Sequence, residues 1–246
     1  MPTLPTIIVP ARLASTRFPR KLLADTGGMP LILRTAQRLD KEAPEFEKFF
    51  AVDGDELGDV LSGTGYNVIL TNPDLPSGTD RIAQANEQLN RTEVINVQAD
   101  EPLVKREHIL ALAESLQVPG ADLATLAVPF AKVEDFLDPN QVKVVLDEQG
   151  FALYFSRAPI PFCRDSEAEQ YFLGSESYKP LKHMGLYAYT APFLAAFAGS
   201  KQGVLEKFEC LEQLRATEQG FKISVSVVSS GSIGVDHPDD LKRIEF

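Results

Sequence analysis

The chain has 246 residues, of which 44% are hydrophobic and 24% are charged, so it is long enough to bury a full core without disulfide or metal staples. Its 24 Lys and Arg residues face 35 Asp and Glu residues, and the net charge of −11 argues against a broad surface for nucleic acid or anionic membrane. It has two cysteines, no Cys/His spacing that suits zinc, no membrane-length apolar run and no signal-peptide pattern, so we expect free thiols and a cytoplasmic protein.

Strands and helices alternate through residues 1–130. Strand patterns cover 7–9, 49–52, 66–70, 94–97 and 123–128, and helix patterns begin near Pro30, Leu57, Ser77 and Lys105. In the first of these helices, Ile32, Ala36 and Leu39 share one face. Alternation of this kind predicts a doubly wound fold, in which right-handed crossovers join parallel strands.

A β-rich second part begins near residue 140. Two apolar runs, 142–146 and 151–155, flank a turn-rich quartet and predict a β-hairpin. Further along, the sequence predicts a proline-containing loop over 158–180, a strand over 184–189, a helix with Val204, Phe208, Leu211 and Leu214 on its apolar face, a strand over 223–227 and a short helix from Pro238. We therefore expect one α/β domain over residues 1–246.

A segment rich in cations, which we call the basic loop (residues 12–21), follows the first strand. Four of its ten residues are basic, and Arg12, Arg17 and Lys21 recur every four or five positions. Ligands of open α/β sheets bind at the loops that follow the strands, so these cations suit a small polyphosphate. The alternative is a solvated loop; a P-loop is excluded because GxxxxGK[ST] is absent.

Carboxylates follow another predicted strand at the same edge of the sheet. Asp100 and Glu101 come shortly after the strand 94–97, where one carboxylate can hold a Mg²⁺ that bridges to phosphates. The alternative is that they cap the helix near Lys105. Asp236 becomes a second metal ligand only if Asp100 is the first, and otherwise it belongs to the start of the last helix.

Other polar residues have both a functional and a structural interpretation. Ser77-Gly78-Thr79 opens a helix whose N–H groups suit an anion or a nucleobase edge, although the same turn can be only a cap. His183 and Tyr187 are four residues apart on one side of a strand, so they form either a pocket wall or a structural pair. Glu212 and Gln213 are expected as a surface pair, His108 is expected at the surface, and Arg157 alone indicates nothing.

Together these residues carry a resemblance that none of them carries alone. In order, the chain contains Pro10-Ala11-Arg12-x-x-Ser15-x-Arg17-x-Pro19-x-Lys21, Ser77-Gly78-Thr79, Asn96-Val97-Gln98-x-Asp100-Glu101-Pro102, Asn140-x-Val142-Lys143-Val144-Val145, Tyr154-Phe155-Ser156-Arg157, His183-x-Gly185-x-Tyr187, Leu211-Glu212-Gln213-Leu214-Arg215 and Gly234-Val235-Asp236. This set covers nearly the whole chain and closely resembles the 3-deoxy-manno-octulosonate cytidylyltransferases, also called CMP-Kdo synthetases.

The resemblance implies a nucleotide-diphospho-sugar transferase fold with a Rossmann-like, mostly parallel central sheet. Residues 1–130 would bind CTP, and residues 131–246 would form the β-rich sugar-binding and dimerisation portion with the C-terminal metal-ligand segment. The implied reaction joins CTP and 3-deoxy-D-manno-octulosonate (Kdo) to give CMP-Kdo and pyrophosphate for lipopolysaccharide biosynthesis in Gram-negative bacteria. The enzyme would be a homodimer that uses Mg²⁺.

The resemblance also assigns roles to single residues. The catalytic residues would be Arg12, Lys21, Asp100 and Asp236, of which Asp100 and Asp236 would hold Mg²⁺. The CTP contacts would be Pro10, Ala11, Arg12, Arg17, Lys21, Ser77, Gly78 and Arg81. The sugar contacts would be Gln98, Arg157, His183, Tyr187, Glu212 and Gln213, with Arg157 as the partner of the sugar carboxylate.

The sequence departs from the family pattern near the expected nucleotide and metal. Ala99 replaces a glycine beside Asp100, Arg20 stands where Gly or Asn is common, and Pro76 replaces a frequent Gln or Ala before Ser77. These changes leave open a modified substrate such as 8-amino-3,8-dideoxy-manno-octulosonate, another sugar acid such as neuraminate, or a shifted nucleotide preference. A nucleotide-binding protein without turnover is the alternative from a different functional class.

Overall fold

Nine strands form one sheet in the computed structural model, which describes residues 4–15, 18–162, 164, 179–232, 234–235, 237–242 and 244. The strands are β1 (Thr6–Ala11), β2 (Lys48–Val52), β3 (Val68–Leu70), β4 (Glu93–Asn96), β5 (Leu123–Pro129), β6 (Lys143–Leu146), β7 (Ala152–Ser156), β8 (Leu181–Thr190) and β9 (Ile223–Val227). The strands predicted from the sequence are present, and the predicted hairpin is β6–β7, so the α/β fold class is confirmed. Most of the predicted loop over 158–180, including Cys163, lies outside the described residues.

The main order of the sheet is parallel except around β8, and the β6–β7 hairpin beside it is antiparallel. The main strand order is β3-β2-β1-β4-β8-β5-β9, and β8 is antiparallel to both β4 and β5, whereas the other neighbours in this order are parallel. The hairpin joins the sheet through β6 and β8. Strands from residues 1–130 and 131–246 therefore share one sheet; the division into a nucleotide part and a sugar part stays a prediction.

Helices cover both faces of this sheet. They are α1 (Leu31–Glu42), α2 (Asp55–Ser62), α3 (Gly78–Leu89), α4 (Arg106–Leu116), α5 (Val133–Leu137), α6 (Ala191–Phe197), α7 (Val204–Glu209), α8 (Gln213–Glu218) and α9 (Pro238–Leu241). Alternate residues of β1 point to opposite faces of the sheet. Ile7 and Val9 therefore pack with α1 and α4, whereas Ile8 packs with α3, α6 and α8. No helix in the described part of the chain is long and apolar enough to span a membrane.

The single helix predicted across residues 204–214 is wrong. Cys210 has a left-handed backbone conformation with φ of 51°, which ends α7 and starts a turn before α8. Leu211 and Leu214 are buried as predicted, but the side chains of Val204 and Phe208 are 65% and 86% exposed. The break rotates α7 relative to α8, so one helical periodicity cannot describe both segments.

The expected surface position of His108 is also wrong. His108 is fully buried, and its Nδ1 accepts the backbone N–H of Lys105, so Nε2 donates to the carbonyl of Ser230 at 2.9 Å. Burial lowers the pKa of this histidine, which keeps the ring neutral. The segment that follows β9 covers this position of α4, and helical periodicity contains no information about that contact.

Candidate active site

A pocket of about 240 Å³ opens where β1 and β4 end and α3 begins. Nine of the predicted site residues line it: Pro10, Ala11, Arg12, Lys21, Ser77, Gly78, Arg81, Gln98 and Asp100. Arg17 and Asp236 lie outside the described residues. The topology explains the convergence, because β1 and β4 are parallel neighbours and their carboxyl ends meet at one edge of the sheet.

The N-terminus of α3 forms one side of this pocket. Ser77 is the N-cap, and its Oγ accepts the backbone N–H of Asp80 at 3.1 Å. Gly78 is the first helical residue and lies beside Pro10 and Gln98. The predicted cap and the predicted ligand-binding turn are therefore the same structure, since capping by Ser77 leaves other first-turn N–H groups for a ligand.

Arg81 lines the pocket although it is almost completely buried. Its guanidinium donates to Thr71 Oγ1 and to the carbonyl of Asn72, so it ties α3 to the segment after β3. Burial lowers the pKa of Arg81. The positive charge of Arg12 lowers it further, and the negative charge of Asp53 opposes the shift. Asp53 also accepts the backbone N–H of Leu13 at 2.9 Å, which holds the start of the basic loop.

Lys21 and Asp100 form an ion pair inside the pocket. The carbonyl of Asp100 accepts the N–H of Val235 at 2.9 Å, so the C-terminal segment next to Asp236 is bound to Asp100. The carbonyl of Ala99 accepts the hydroxyl of Thr35 at 2.8 Å. Asp100 and Glu101 do not cap α4, whose N-cap is Lys105.

Arg20 lies outside the pocket and has a left-handed backbone conformation with φ of 57°. Its exposed guanidinium pairs with Glu56 at the start of α2, so the side chain points to the protein surface. The glycine or asparagine that the family pattern favours at this position suits such a φ, which explains the pattern in backbone terms. Arg20 is therefore a surface residue in this loop conformation.

Two substitutions of Arg20 separate the backbone effect from the ion pair. Arg20→Gly and Arg20→Val both remove the pairing with Glu56, but only valine places a β-branched side chain at positive φ. We expect the Val variant to be less stable than the Gly variant by about 1–2 kcal/mol in chemical denaturation. Equal stabilities would show that the left-handed conformation is not adopted in solution.

A second group of predicted residues surrounds a cavity of about 20 Å³ on the other side of Ser77. Tyr187, Glu212 and Gln213 line this cavity together with Thr79 and Tyr189. Gln213 is buried and its Nε2 finds no acceptor among the described residues, while Glu212 is only partly exposed. The expected surface position of this pair is therefore wrong, because α3 and β8 pack against the start of α8.

His183 stands beside Tyr187, and their ring centroids are 5.5 Å apart. The Thr125 hydroxyl donates to the carbonyl of Leu186 at 2.8 Å, so His183 Nε2 donates to Thr125 Oγ1 at 3.0 Å and Nδ1 is the acceptor. Burial lowers the pKa of His183 to about 3, which makes the imidazole neutral at neutral pH. The predicted pairing of His183 with Tyr187 is confirmed.

Hydrogen bonds connect the pocket with the small cavity. Gln98 Nε2 donates to Asn96 Oδ1 at 3.3 Å, and Asn96 Nδ2 donates to the Tyr189 hydroxyl at 3.1 Å. On the other side, Ser77 Oγ contacts Glu212 Oε1 at 3.1 Å. Only one or two side chains therefore separate the lining of the pocket from the lining of the small cavity.

Arg157 occupies a different position from the other predicted sugar contacts. Its guanidinium donates to three backbone carbonyls, those of Glu209 at 2.6 Å, Pro139 at 3.0 Å and Cys210 at 3.3 Å. Glu209 in turn accepts the backbone N–H of Arg157 at 2.9 Å. In this conformation Arg157 holds the turn that leads to Glu212, and its pairing with a carboxylate stays a prediction.

Asp80 and Tyr189 lie among the predicted site residues, although neither was predicted from the sequence. Tyr189 stacks on Tyr187 with ring centroids 5.8 Å apart, and the two-residue spacing along β8 was the signal for a shared face. Asp80 follows the N-cap Ser77 by three residues, which is the spacing of a capping box. Both signals are local and were legible in the sequence.

The described residues fit a Mg²⁺ site in part. Asp100 supplies a carboxylate at the pocket, and oxygen ligands are those that Mg²⁺ prefers, commonly one or two carboxylates completed by phosphate oxygens and water. No three His, Cys, Asp or Glu side chains converge as a metal cluster within the part of the chain that the structure describes. The site would therefore depend on Asp100, on Asp236 and on the ligand's own phosphates.

Comparisons with known proteins identify the family of the chain. A family model described as Cytidylyltransferase matches residues 6–223. The 3-deoxy-manno-octulosonate cytidylyltransferases of Syntrophotalea carbinolica and Geobacter sulfurreducens are 42% and 41% identical to the chain, covering 98% and 97% of it and 96% and 97% of their own lengths. A solved structure of CMP:2-keto-3-deoxy-manno-octonic acid synthetase complexed with CTP has a TM-score of 0.88 and 32% identity, covering 98% of this chain and 96% of that one. The chain therefore belongs to the family of the 3-deoxy-manno-octulosonate cytidylyltransferases.

Proposed function

We propose that this protein transfers CMP from CTP to Kdo and releases pyrophosphate, the product CMP-Kdo serving lipopolysaccharide biosynthesis. The observation that carries the proposal is the connection of two cavities through Ser77. One contains the cations and the carboxylate that suit a metal-bound triphosphate. The other, of about 20 Å³, has room for about one water molecule, so the sugar would bind where the polar side chains of Tyr187, Glu212 and Gln213 border the pocket at Ser77. Because the transfer needs both substrates in contact, adjacent subsites are what the chemistry requires.

The nucleotide would lie along the basic loop and the N-terminus of α3. Arg12 and Lys21 would neutralise phosphate oxygens, and the backbone N–H groups beside Gly78 would bind a further oxygen or the base edge. Lys21 must exchange its contact with Asp100 for a phosphate, which frees the carboxylate of Asp100. Mg²⁺ held by Asp100 and Asp236 would supply charge neutralisation at the α-phosphate and would lower the pKa of the attacking hydroxyl.

The sugar acid would bind on the side of the small cavity. Gln98 stands between the two subsites, and the neutral His183 offers Nδ1 as an acceptor for a sugar hydroxyl. Tyr187, Glu212 and Gln213 would complete the contacts, and the buried Gln213 Nε2 is a donor suited to a hydroxyl or carboxylate oxygen. Arg157 would contribute through the turn before Glu212 or by pairing with the substrate carboxylate.

We further propose that the enzyme works in the cytoplasm as a homodimer. The two-fold dimer is the commonest assembly of soluble enzymes, and the exposed Val204 and Phe208 of α7 provide apolar surface. Light scattering at micromolar concentration measures the mass, and a monomer would contradict the assembly.

Pyrophosphate release across a substrate panel tests the reaction. The panel combines CTP, UTP, ATP and GTP with Kdo, 8-amino-3,8-dideoxy-manno-octulosonate and neuraminate, each with and without Mg²⁺. We expect release only with CTP, Kdo and Mg²⁺ together. Preference for the amino sugar would redirect the proposal to a modified substrate, and CTP binding in calorimetry without turnover on any sugar acid would overturn it.

Replacing Gly78 by Ala tests where the nucleotide lies. The added Cβ would be 3.5 Å from Pro10 Cγ and 4.0 Å from Gln98 Oε1, which are ordinary contacts, so folding should be unaffected. The methyl group would nevertheless occupy the space beside the N-terminus of α3. We expect the KM for CTP to rise about tenfold, or ~1.4 kcal/mol, at an unchanged melting temperature. An unchanged KM would place the nucleotide elsewhere.

A further inference from the structure

Three oxygen-bearing side chains meet between the N-terminus of α3 and the turn before α8. Ser77 Oγ lies 2.6 Å from Asp80 Oδ2 and 3.1 Å from Glu212 Oε1, and it accepts the backbone N–H of Asp80 at 3.1 Å. Two carboxyl groups therefore contact a single hydroxyl group, which has one proton to donate. Asp80 itself lines neither cavity.

The hydrogen bonds around Ser77 require one more proton than the hydroxyl supplies. If Ser77 donates to one carboxylate, the lone pairs of its Oγ face the oxygen of the other carboxyl group. That contact is repulsive when both carboxyl groups are ionised, and two buried like charges this close disfavour each other. A neutral acid at one of the two positions removes this repulsion, because its proton can be donated to Ser77 Oγ.

Distance and position assign this proton to Glu212. The 2.6 Å contact with Asp80 has the length of a hydroxyl bond to a carboxylate, whereas the 3.1 Å contact with Glu212 is longer. Asp80 lies in the first turn of α3, where the helix dipole stabilises negative charge. Burial raises the pKa of Glu212, a hydrogen bond from Thr79 opposes this shift, and the charge of Asp80 adds to it.

Among the described residues that face Glu212, no positively charged group is in contact with its carboxyl group. Tyr187 and Tyr189 face it from β8, and burial raises the pKa of both, so they stay neutral. Arg215 faces it from α8 and favours the charged form, but its guanidinium contacts both carboxylate oxygens of Glu206 at 2.7 and 2.6 Å. Asp80 on α3 is the remaining charged group among the described residues that act on Glu212, and it favours the neutral acid.

We propose that Asp80, acting through Ser77, is a positioning residue that keeps Glu212 as a neutral carboxylic acid in the sugar subsite. A neutral Glu212 admits an anionic sugar acid without repulsion between like charges, whereas an ionised Glu212 would oppose it. The identity of the anionic ligand rests on the proposed function, but the protonation of Glu212 is a property of the protein without ligands. Asp80 thereby contributes to the acceptance of anionic sugar acids in this subsite.

Infrared difference spectroscopy of the ligand-free protein tests the protonation directly. We expect the carbonyl band of a protonated carboxylic acid at pH 7 in the wild-type protein and its loss in Glu212→Gln. In Asp80→Asn the neighbouring charge is absent but Glu212 stays buried, so the band should be lost at a lower pH than in the wild-type protein. A wild-type protein without the band, or a band that survives in Glu212→Gln, would overturn the proposal.

The pH dependence of the KM for Kdo provides the functional readout. A carboxyl group with a raised pKa is neutral below that pKa and ionised above it, so the KM should rise about tenfold per pH unit above it. We expect this rise to begin at lower pH in Asp80→Asn and to be absent in Glu212→Gln, with the KM for CTP unchanged across the same range. A purely structural Asp80 would lower the melting temperature and leave the pH profile in place, which would contradict the proposed role.

The two measurements separate this inference from the proposed function. If no sugar acid supports turnover but the infrared band behaves as expected, the reaction is wrong and Glu212 is nevertheless a neutral acid. If Kdo is the substrate but the band is absent in the wild-type protein, the role of Asp80 alone is wrong.

Discussion

Asp100→Asn is expected to lower the rate of pyrophosphate release from CTP and Kdo by about a hundredfold to a thousandfold, the cost of losing one preorganised electrostatic group. Asp100 is the carboxylate that lines the described part of the pocket, after the end of β4 and beside Lys21. Asparagine keeps the shape of the side chain but carries no charge to hold Mg²⁺. Turnover at saturating substrates, measured over a range of Mg²⁺ concentrations, gives the effect.

An exposed aspartate provides the matched control for this variant. Asp59 lies on the solvent side of α2 and does not line the pocket, so Asp59→Asn should leave turnover unchanged. Both variants should unfold at the wild-type temperature, because an asparagine in place of Asp100 can still accept a hydrogen bond from Lys21, and the backbone contact with Val235 remains. Wild-type activity in Asp100→Asn would remove Asp100 from the metal site.

The part of the site that the sequence predicted depends on strand ends. Pro10, Arg12 and Asp100 follow apolar runs, and in a sheet with parallel β1 and β4 these positions must come together. Ser77 carried a local signal as well, since a capping residue before an apolar helix pattern marks an N-terminus. Periodicity and capping are local properties, so a single sequence contains them.

The part that the sequence did not predict depends on which elements pack on one another. Glu212 and Gln213 resemble surface residues until α3 and β8 are placed against them, and His108 resembles one until the segment after β9 covers it. Phe208 fitted the apolar face of a helix that the left-handed Cys210 interrupts, and nothing in the residue type of cysteine predicts that conformation. The burial of these side chains depends on tertiary packing, and helical or strand periodicity in the sequence does not reveal it.

Arg215→Met is expected to cause the largest loss of stability among the substitutions considered. Arg215 and Glu206 form a buried ion pair whose side chains are 5% and 6% exposed, and the guanidinium also lies 4.4 Å from the centre of the Phe197 ring. Removing one partner of a buried pair costs about 3–5 kcal/mol. For a chain of this size, that corresponds to a fall in melting temperature of roughly 6–20 °C, which circular dichroism can measure.

Two further variants show whether the unpaired charge is the cause. Arg106→Met removes an arginine that pairs with Glu45 at the surface, and we expect only a small change in melting temperature. The double variant Glu206→Leu/Arg215→Met leaves no buried charge behind, so it should recover much of the stability that the single variant loses. If Arg215→Met is no less stable than Arg106→Met, the pair is not buried in solution. Because the pair joins α7 to α8 across the turn that precedes Glu212, its loss should also raise the KM for Kdo more than the KM for CTP.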